Sequence, residues 1–66
     1  MKLDETFLNS LNGLSLEEAD KLIETNKGIA RISSEDGIQR ILIANFETNR
    51  VNLDIVNNKV VKAHIG

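Results

Sequence analysis

The side chains best suited to chemistry in this chain are its ten acidic residues, five of which fall in two groups. Glu17, Glu18 and Asp20 form one group, and Glu35-Asp36 forms the other. The first group falls at a predicted helix start, where negative charge favours the helix dipole. The second stands before a glycine, in a pattern typical of a tight turn. We therefore interpret both groups as structural.

The remaining candidates for catalysis are one histidine and several serines. His64 is the only histidine, and the chain contains no cysteine. A metal site or a catalytic site needs several convergent ligands or a base paired with a nucleophile. The serines are accounted for by caps and turns, and neither a nucleophile elbow nor a phosphate-binding glycine loop is present. We expect no enzyme activity, no metal and no cofactor.

Composition narrows the class of protein further. The chain has 66 residues, a net charge of −2 and only two aromatic side chains, Phe7 and Phe46. Nucleic-acid binding usually needs a basic face and stacking aromatics, so this balance argues against it. We expect a single small domain spanning residues 1–66. A core of this size is near the lower limit for stability, so a homodimer would be one way to gain burial.

The sequence also bears on location. Its apolar runs are far shorter than the ~20 residues that a membrane-spanning helix requires. The N-terminal segment carries acids and lacks a long apolar core, unlike a signal peptide. Because cysteine is absent, we expect a cytoplasmic protein, with a mature secreted domain as the alternative.

Two helices are predicted in the first half of the chain. Asp4 caps a short helix that Gly13 ends, with Leu3, Phe7, Leu8 and Leu11 on one face. A capping box, Ser15-Leu16-Glu17-Glu18, then opens the main helix at about 16–26. We expect Gly28 to end it by turning left-handed.

The second half predicts strands. Val51, Leu53 and Ile55 alternate with polar residues, and Asn57-Asn58 suits a two-residue turn, so Arg50–Gly66 is a predicted β-hairpin. Strands are also predicted at Ile29–Ser33 and Ile38–Phe46, joined by a polar turn at Ser34–Gly37. The fold class is therefore α+β: one main helix on a small mixed or antiparallel sheet of three to four strands, preceded by a short helix.

One apolar block has two interpretations. Ile41, Leu42, Ile43 and Ala44 cannot all face one core from a single strand. One interpretation is a central strand covered on both sides, or a strand whose second face meets a partner. The other is an exposed loop that offers an extended backbone to a partner.

Two parts of the chain resemble the potato inhibitor I family. Residues 11–19, LNGLSLEEA, are similar to the segment that opens the helix of these proteins. The motifs Arg50-Val51-Asn52-Leu53 and Asn58-Lys59-Val60-Val61, with Gly66, are similar to the end of the same family. The Arg-Val-Asn-Leu form is closer to its bacterial peptidase-inhibitor relatives. The resemblance covers most of the chain from Leu11 onward.

The resemblance implies a loop that imitates a substrate of a subtilisin- or chymotrypsin-like serine protease. Such a loop gains affinity because it is ordered before it binds. By position, Ala44 precedes the scissile bond and Asn45 follows it, and Arg50 and Asn52 support the loop. The implied partner-binding residues are Ile41, Leu42, Ile43, Ala44, Asn45 and Phe46.

The chain departs from this pattern at several points. Glu47 stands where the family usually has a second arginine, and the loop has no proline. Ser34–Gly37 is also suited to closing a tight hairpin that would turn the loop into an ordinary meander. The alternative function is a non-enzymatic interaction module, in a bacterial or phage-infected cell. It would bind a protein or itself through an exposed strand around Ile41–Ile43.

Overall fold

The computed structural model describes residues 3–40 and 46–66. Within these ranges the chain forms two helices and four strands, in the order α1 (Glu5–Ser10), α2 (Leu16–Thr25), β1 (Ile29–Glu35), β2 (Ile38–Gln39), β3 (Arg50–Val56) and β4 (Lys59–Ile65). The strand order across the sheet is β2-β1-β3-β4. β1 and β3 are parallel, and the other neighbours are antiparallel. The predicted α+β fold with a small mixed sheet is confirmed.

Both helices begin at the predicted caps. Asp4 Oδ1 accepts a hydrogen bond from the Phe7 amide at 2.9 Å. At α2, Ser15 Oγ accepts from the Glu18 amide at 3.2 Å, and Glu18 Oε1 accepts from the Ser15 amide at 3.1 Å. This reciprocal pair satisfies two amides that the first turn leaves without helical partners.

The end of α2 differs from the expectation for Gly28. Lys27 is the left-handed residue, with φ of 63°. The Gly28 amide donates to Ile23 O at 2.8 Å and the Lys27 amide to Glu24 O at 2.9 Å, which together form a Schellman motif. Gly28 is instead required by close packing, because a Cβ there would lie 2.9 Å from Ile23 Cγ2 and 3.2 Å from Asn49 O.

The helices cover one face of the sheet. The buried residues of the core come from both helices and from the hairpin, and they are Phe7, Leu11, Ala19, Ile23, Val51, Leu53, Ile55 and Val60. Because side chains alternate along a strand, the residues between the buried ones of β3 point to the helix-free face. That face carries the polar side chains described below.

The hairpin over Arg50–Gly66 is confirmed. Its turn residues Asn57 and Asn58 have φ of 50° and 61°, as a two-residue turn between twisted strands requires. A second tight turn at Asp36-Gly37 joins β1 to β2. The two turns are linked, because Asp36 Oδ1 accepts from the Asn57 amide at 2.8 Å.

The tight hairpin does form, with its turn at Asp36-Gly37. Ser34 and Glu35, which were predicted to lie in the turn, are the last two residues of β1. The hairpin does not produce a meander, because β3 pairs with the opposite side of β1 from β2. The strand predicted over Ile38–Phe46 is confirmed only for Ile38–Gln39, and Arg40 and Phe46 lie outside any strand. The rest of that prediction, at residues 41–45, falls outside the described residues.

Candidate functional site

The candidate site lies where the chain returns from β2 to the start of β3. Of the predicted partner-binding residues, Ile41, Leu42, Ile43, Ala44 and Asn45 lie outside the described part of the chain. Phe46 is described and is 70% exposed. Its ring lies beside Gly66, since a Cβ on Gly66 would be 3.9 Å from Phe46 Cδ2.

The sheet places three side chains of this region on its helix-free face. Arg50 and Asn52 alternate with the buried residues of β3, so both point away from the helices. The parallel pairing of β1 with β3 sets Arg31 directly opposite Asn52. The result is a polar group at the ends of β3 and β4 where the chain enters β3 and leaves β4.

These side chains converge on one carbonyl oxygen. Asn52 Nδ2 donates to Gly66 O at 3.1 Å, and Arg50 Nε donates to the same oxygen at 2.8 Å. Arg31 Nε donates to Asn52 Oδ1 at 2.7 Å, and its Nη2 is 3.4 Å from Gly66 O. The Gly66 amide in turn donates to Arg50 O at 3.0 Å. We call Arg31, Arg50, Asn52 and Gly66 the Gly66 cluster.

Asn52 is the centre of this cluster. It is 2% exposed, although it lies on the face without helices. Its amide meets a donor on one side and an acceptor on the other, and a side-chain amide supplies both functions. A guanidinium only donates, so the orientation of the Asn52 amide is assigned by Arg31. A buried polar group satisfied in this way stabilises one arrangement of its neighbours.

The cluster is positively charged. Burial lowers the pKa of Arg31, and the neighbouring guanidinium of Arg50 lowers it further. An arginine remains protonated at neutral pH despite such a shift. Two cations are therefore held close together, and both contact the same main-chain oxygen of Gly66.

The roles predicted for Arg50 and Asn52 as loop supports remain predictions. Both side chains hold Gly66, at the end of β4. Arg31 was missed by sequence reasoning. Its alternation between Ala30 and Ile32 would have assigned it to the outer face, but its pairing with Asn52 depends on the parallel register, which the sequence does not encode locally.

The other candidates for chemistry are dispersed over the fold. Glu18 serves the helix cap, and its pKa is lowered by hydrogen bonds from the backbone amide and then the hydroxyl of Ser15. Within residues 3–40 and 46–66, no three His, Asp or Glu side chains come together as metal ligands. Nor is any described helix long and apolar enough to cross a membrane.

Comparison with known proteins yields no match: no family model, no curated protein and no solved structure matches this chain.

Proposed function

We propose that the chain is a serine protease inhibitor-like protein that presents residues 41–47 as a substrate mimic to a subtilisin- or chymotrypsin-like enzyme. The observation that carries the proposal is that both ends of this segment are fastened to the same strand, β1. The segment therefore bridges two fixed points on a rigid sheet. In this proposal Ala44 precedes the scissile bond and Asn45 follows it.

The upstream attachment is made by Arg40. Its amide donates to Ser33 O at 2.9 Å, and its guanidinium forms an ion pair with Glu35 at 2.6 Å. This backbone hydrogen bond extends the β1–β2 pairing by one residue beyond β2. The chain therefore enters the proposed binding segment from a defined position on the sheet edge.

The downstream attachment is made by Asn49 and Arg50. Asn49 O accepts from the Ile29 amide at 2.8 Å, at the first residue of β1. The Arg50 amide lies 3.4 Å from Glu47 O, which closes a turn just before β3. Arg50 also holds Gly66 through its side chain.

Fixed ends matter for inhibition because they limit the conformations open to the free segment. A loop that loses little conformational entropy on binding retains more of its contact energy as affinity. Phe46, which is 70% exposed, adds an apolar contact next to the proposed scissile bond. The resemblance to potato inhibitor I proteins implies that Arg50 and Asn52, in the Gly66 cluster, support the binding segment.

A second function, an interaction module that pairs through an exposed strand, is favoured by the open edge of β4. Among the described residues, 13–15 pair with the start of this edge, where the Gly13 amide donates to Val60 O at 2.7 Å and Leu14 O accepts from the Val60 amide at 2.8 Å. Val61, further along, is 53% exposed. An edge of this kind can accept a strand from a partner.

Titration against a panel of subtilisin-, chymotrypsin- and elastase-like proteases tests the inhibitor proposal. Residual protease activity is followed as the protein is added at micromolar concentration. Loss of activity that reaches completion at one equivalent supports inhibition. Rapid digestion of the protein, or unchanged activity of every protease, would contradict it and leave the interaction module.

Amide hydrogen exchange separates the two functions independently of any protease. An exposed, extended binding segment exchanges its amides quickly through residues 41–47. Strong protection from Ile38 through Phe46 in the monomer would indicate a paired strand and would count against the inhibitor.

A further inference from the structure

Asn12-Gly13 is the one place in the chain where an asparagine precedes a glycine. In such a pair the main-chain nitrogen of the glycine can reach the side-chain amide carbon of the asparagine, so the two groups react within one molecule. Glycine permits this attack because it has no Cβ to crowd its nitrogen. The pair lies in the turn between α1 and α2, and both residues are exposed. Solvent therefore reaches the two groups.

The fold requires glycine at position 13. Gly13 has φ of 89°, a left-handed conformation that residues with a Cβ rarely adopt. A Cβ built on Gly13 would have no described atom within 4 Å, so the backbone conformation and not packing selects glycine here. The reactive pair is therefore kept by the requirements of the turn.

The Gly13 nitrogen is held by a hydrogen bond. Its amide donates to Val60 O at 2.7 Å, and the Val60 amide donates to Leu14 O at 2.8 Å. Leu11, on the other side of the pair, is fully buried. The nitrogen becomes a nucleophile only after it has lost its proton. Because Val60 O holds that proton in the folded chain, the hydrogen bond must open before the nitrogen can attack.

We propose that Asn12 is a site of spontaneous deamidation whose rate is set by opening of the Gly13–Val60 hydrogen bond. Base removes the amide proton of Gly13, and the nitrogen attacks Cγ of Asn12. The N–Cγ bond forms and the Cγ–Nδ2 bond breaks, and Nδ2 leaves as ammonia after taking a proton from water. The product of this step is a succinimide. The inference does not depend on what residues 41–47 bind.

Water then opens the succinimide at one of its two carbonyl carbons, with no change in oxidation state. Cleavage of the N–Cγ bond gives aspartate, which leaves the main chain as it was. Cleavage of the bond to the main-chain carbonyl carbon gives isoaspartate, which adds a methylene to the main chain between residues 12 and 13. Buried Leu11 fixes one side of this segment and Val60 the other. We therefore expect isoaspartate to displace Gly13 from Val60 O and to uncover the start of the β4 edge.

Amide hydrogen exchange measures the opening at the same atom. Exchange and deamidation both begin when base removes the Gly13 amide proton, so one opening controls both. A blocked peptide with the sequence of residues 10–14 gives the unprotected rate of each reaction. We expect the protein to deamidate about tenfold or more slowly than the peptide, by a factor that agrees within about threefold with the exchange protection of Gly13.

Three results would overturn the proposal. One is deamidation of the protein at the rate of the peptide. Another is a slowing that disagrees with the exchange protection of Gly13 by more than this margin. The third is absence of product over a time in which the exchange data predict it.

Substitutions and an internal control locate the reaction by mass spectrometry. Asn12→Gln lengthens an exposed side chain, disfavours ring closure and should remove the product. Asn58, which is exposed and precedes a lysine, is the internal control and should stay intact over the same period. Deamidation of Asn58 as fast as that of Asn12 would contradict the assignment to the Asn-Gly pair.

Asn12→Asp separates the new charge from the longer main chain. The isoaspartate product, purified by chromatography, should lose about tenfold or more of the exchange protection at Gly13, whereas Asn12→Asp should retain it. Equal protection in the two proteins would overturn the proposed release of the β4 edge.

Discussion

The Nε atom of Arg31 lies 2.7 Å from Oδ1 of Asn52, and this hydrogen bond joins β1 to β3 on the face without helices. The same asparagine reaches Gly66 O through Nδ2 at 3.1 Å. One buried amide thus connects three parts of the chain that are distant in sequence. It fixes Arg31 relative to the end of β4, whereas Arg50 is bonded to Gly66 directly.

Replacing Asn52 with alanine should lower the free energy of unfolding by about 2 kcal/mol, because the charged donor Arg31 loses its acceptor, Asn52 Oδ1, and Gly66 O loses one donor. Urea denaturation of both proteins measures the change. Asn9→Ala, at an exposed helix position, is the control and should change stability by less than about 0.5 kcal/mol. Equal effects of the two substitutions would show that the Asn52 network contributes no stability.

Replacing Arg50 with alanine should weaken protease inhibition much more than it weakens the fold. We expect the inhibition constant to rise about 100-fold, which corresponds to ~2.7 kcal/mol. The free energy of unfolding should fall by about 1 kcal/mol, the typical contribution of one hydrogen bond. Arg40→Ala tests the upstream attachment in the same assays. If Arg50→Ala lowers inhibition and stability by the same free energy, its role is structural only.

Two adjacent substitutions at the end of α2 should have opposite effects on stability. Lys27→Gly should stabilise the protein by about 1 kcal/mol, since glycine adopts the left-handed conformation without the steric cost. Gly28→Ala should destabilise it by about 1–3 kcal/mol, because the added methyl meets Ile23 and the Asn49 carbonyl in packed surroundings. Thermal unfolding compares them directly. Stabilisation by Gly28→Ala would contradict the described helix end.

The Glu18 cap predicts a specific pH dependence of stability. Because the folded-state pKa of Glu18 is lowered, the carboxylate contributes stability that is fully present above its unfolded-state pKa, about 4.3 for an ordinary glutamate. This contribution is lost as pH falls through the lower folded-state value. Glu18→Gln keeps a capping side chain without the charge. Stability measured at pH 7 and pH 3 should therefore vary less in Glu18→Gln than in the wild type.

The secondary structure was largely predictable because its signals are local. The capping box at Ser15–Glu18 and the asparagine turn at Asn57-Asn58 each specify a backbone conformation within four residues. The exchange of roles between Lys27 and Gly28 was not predictable in the same way. The need for glycine at position 28 arises from the carbonyl oxygen of Asn49, which the pairing of β1 with β3 brings close to Gly28.

The candidate site was less predictable than the fold. Arg50 and Asn52 were identified by their resemblance to a family motif, whereas Arg31 carries no such motif. Its contribution follows from the parallel pairing of β1 with β3, a relationship between segments about 20 residues apart. Short sequence patterns do not contain that register, because parallel strands are joined by long connections.

The most direct test of the proposed function is the identity of the bond that an inhibited protease cleaves. Each protease that the protein inhibits is incubated with it in excess, and the products are identified by mass spectrometry over time. The inhibitor proposal predicts slow cleavage at a single bond, Ala44–Asn45, while inhibition persists. Cleavage first at another site, or rapid cleavage accompanied by recovery of protease activity, would contradict the proposed presentation of residues 41–47.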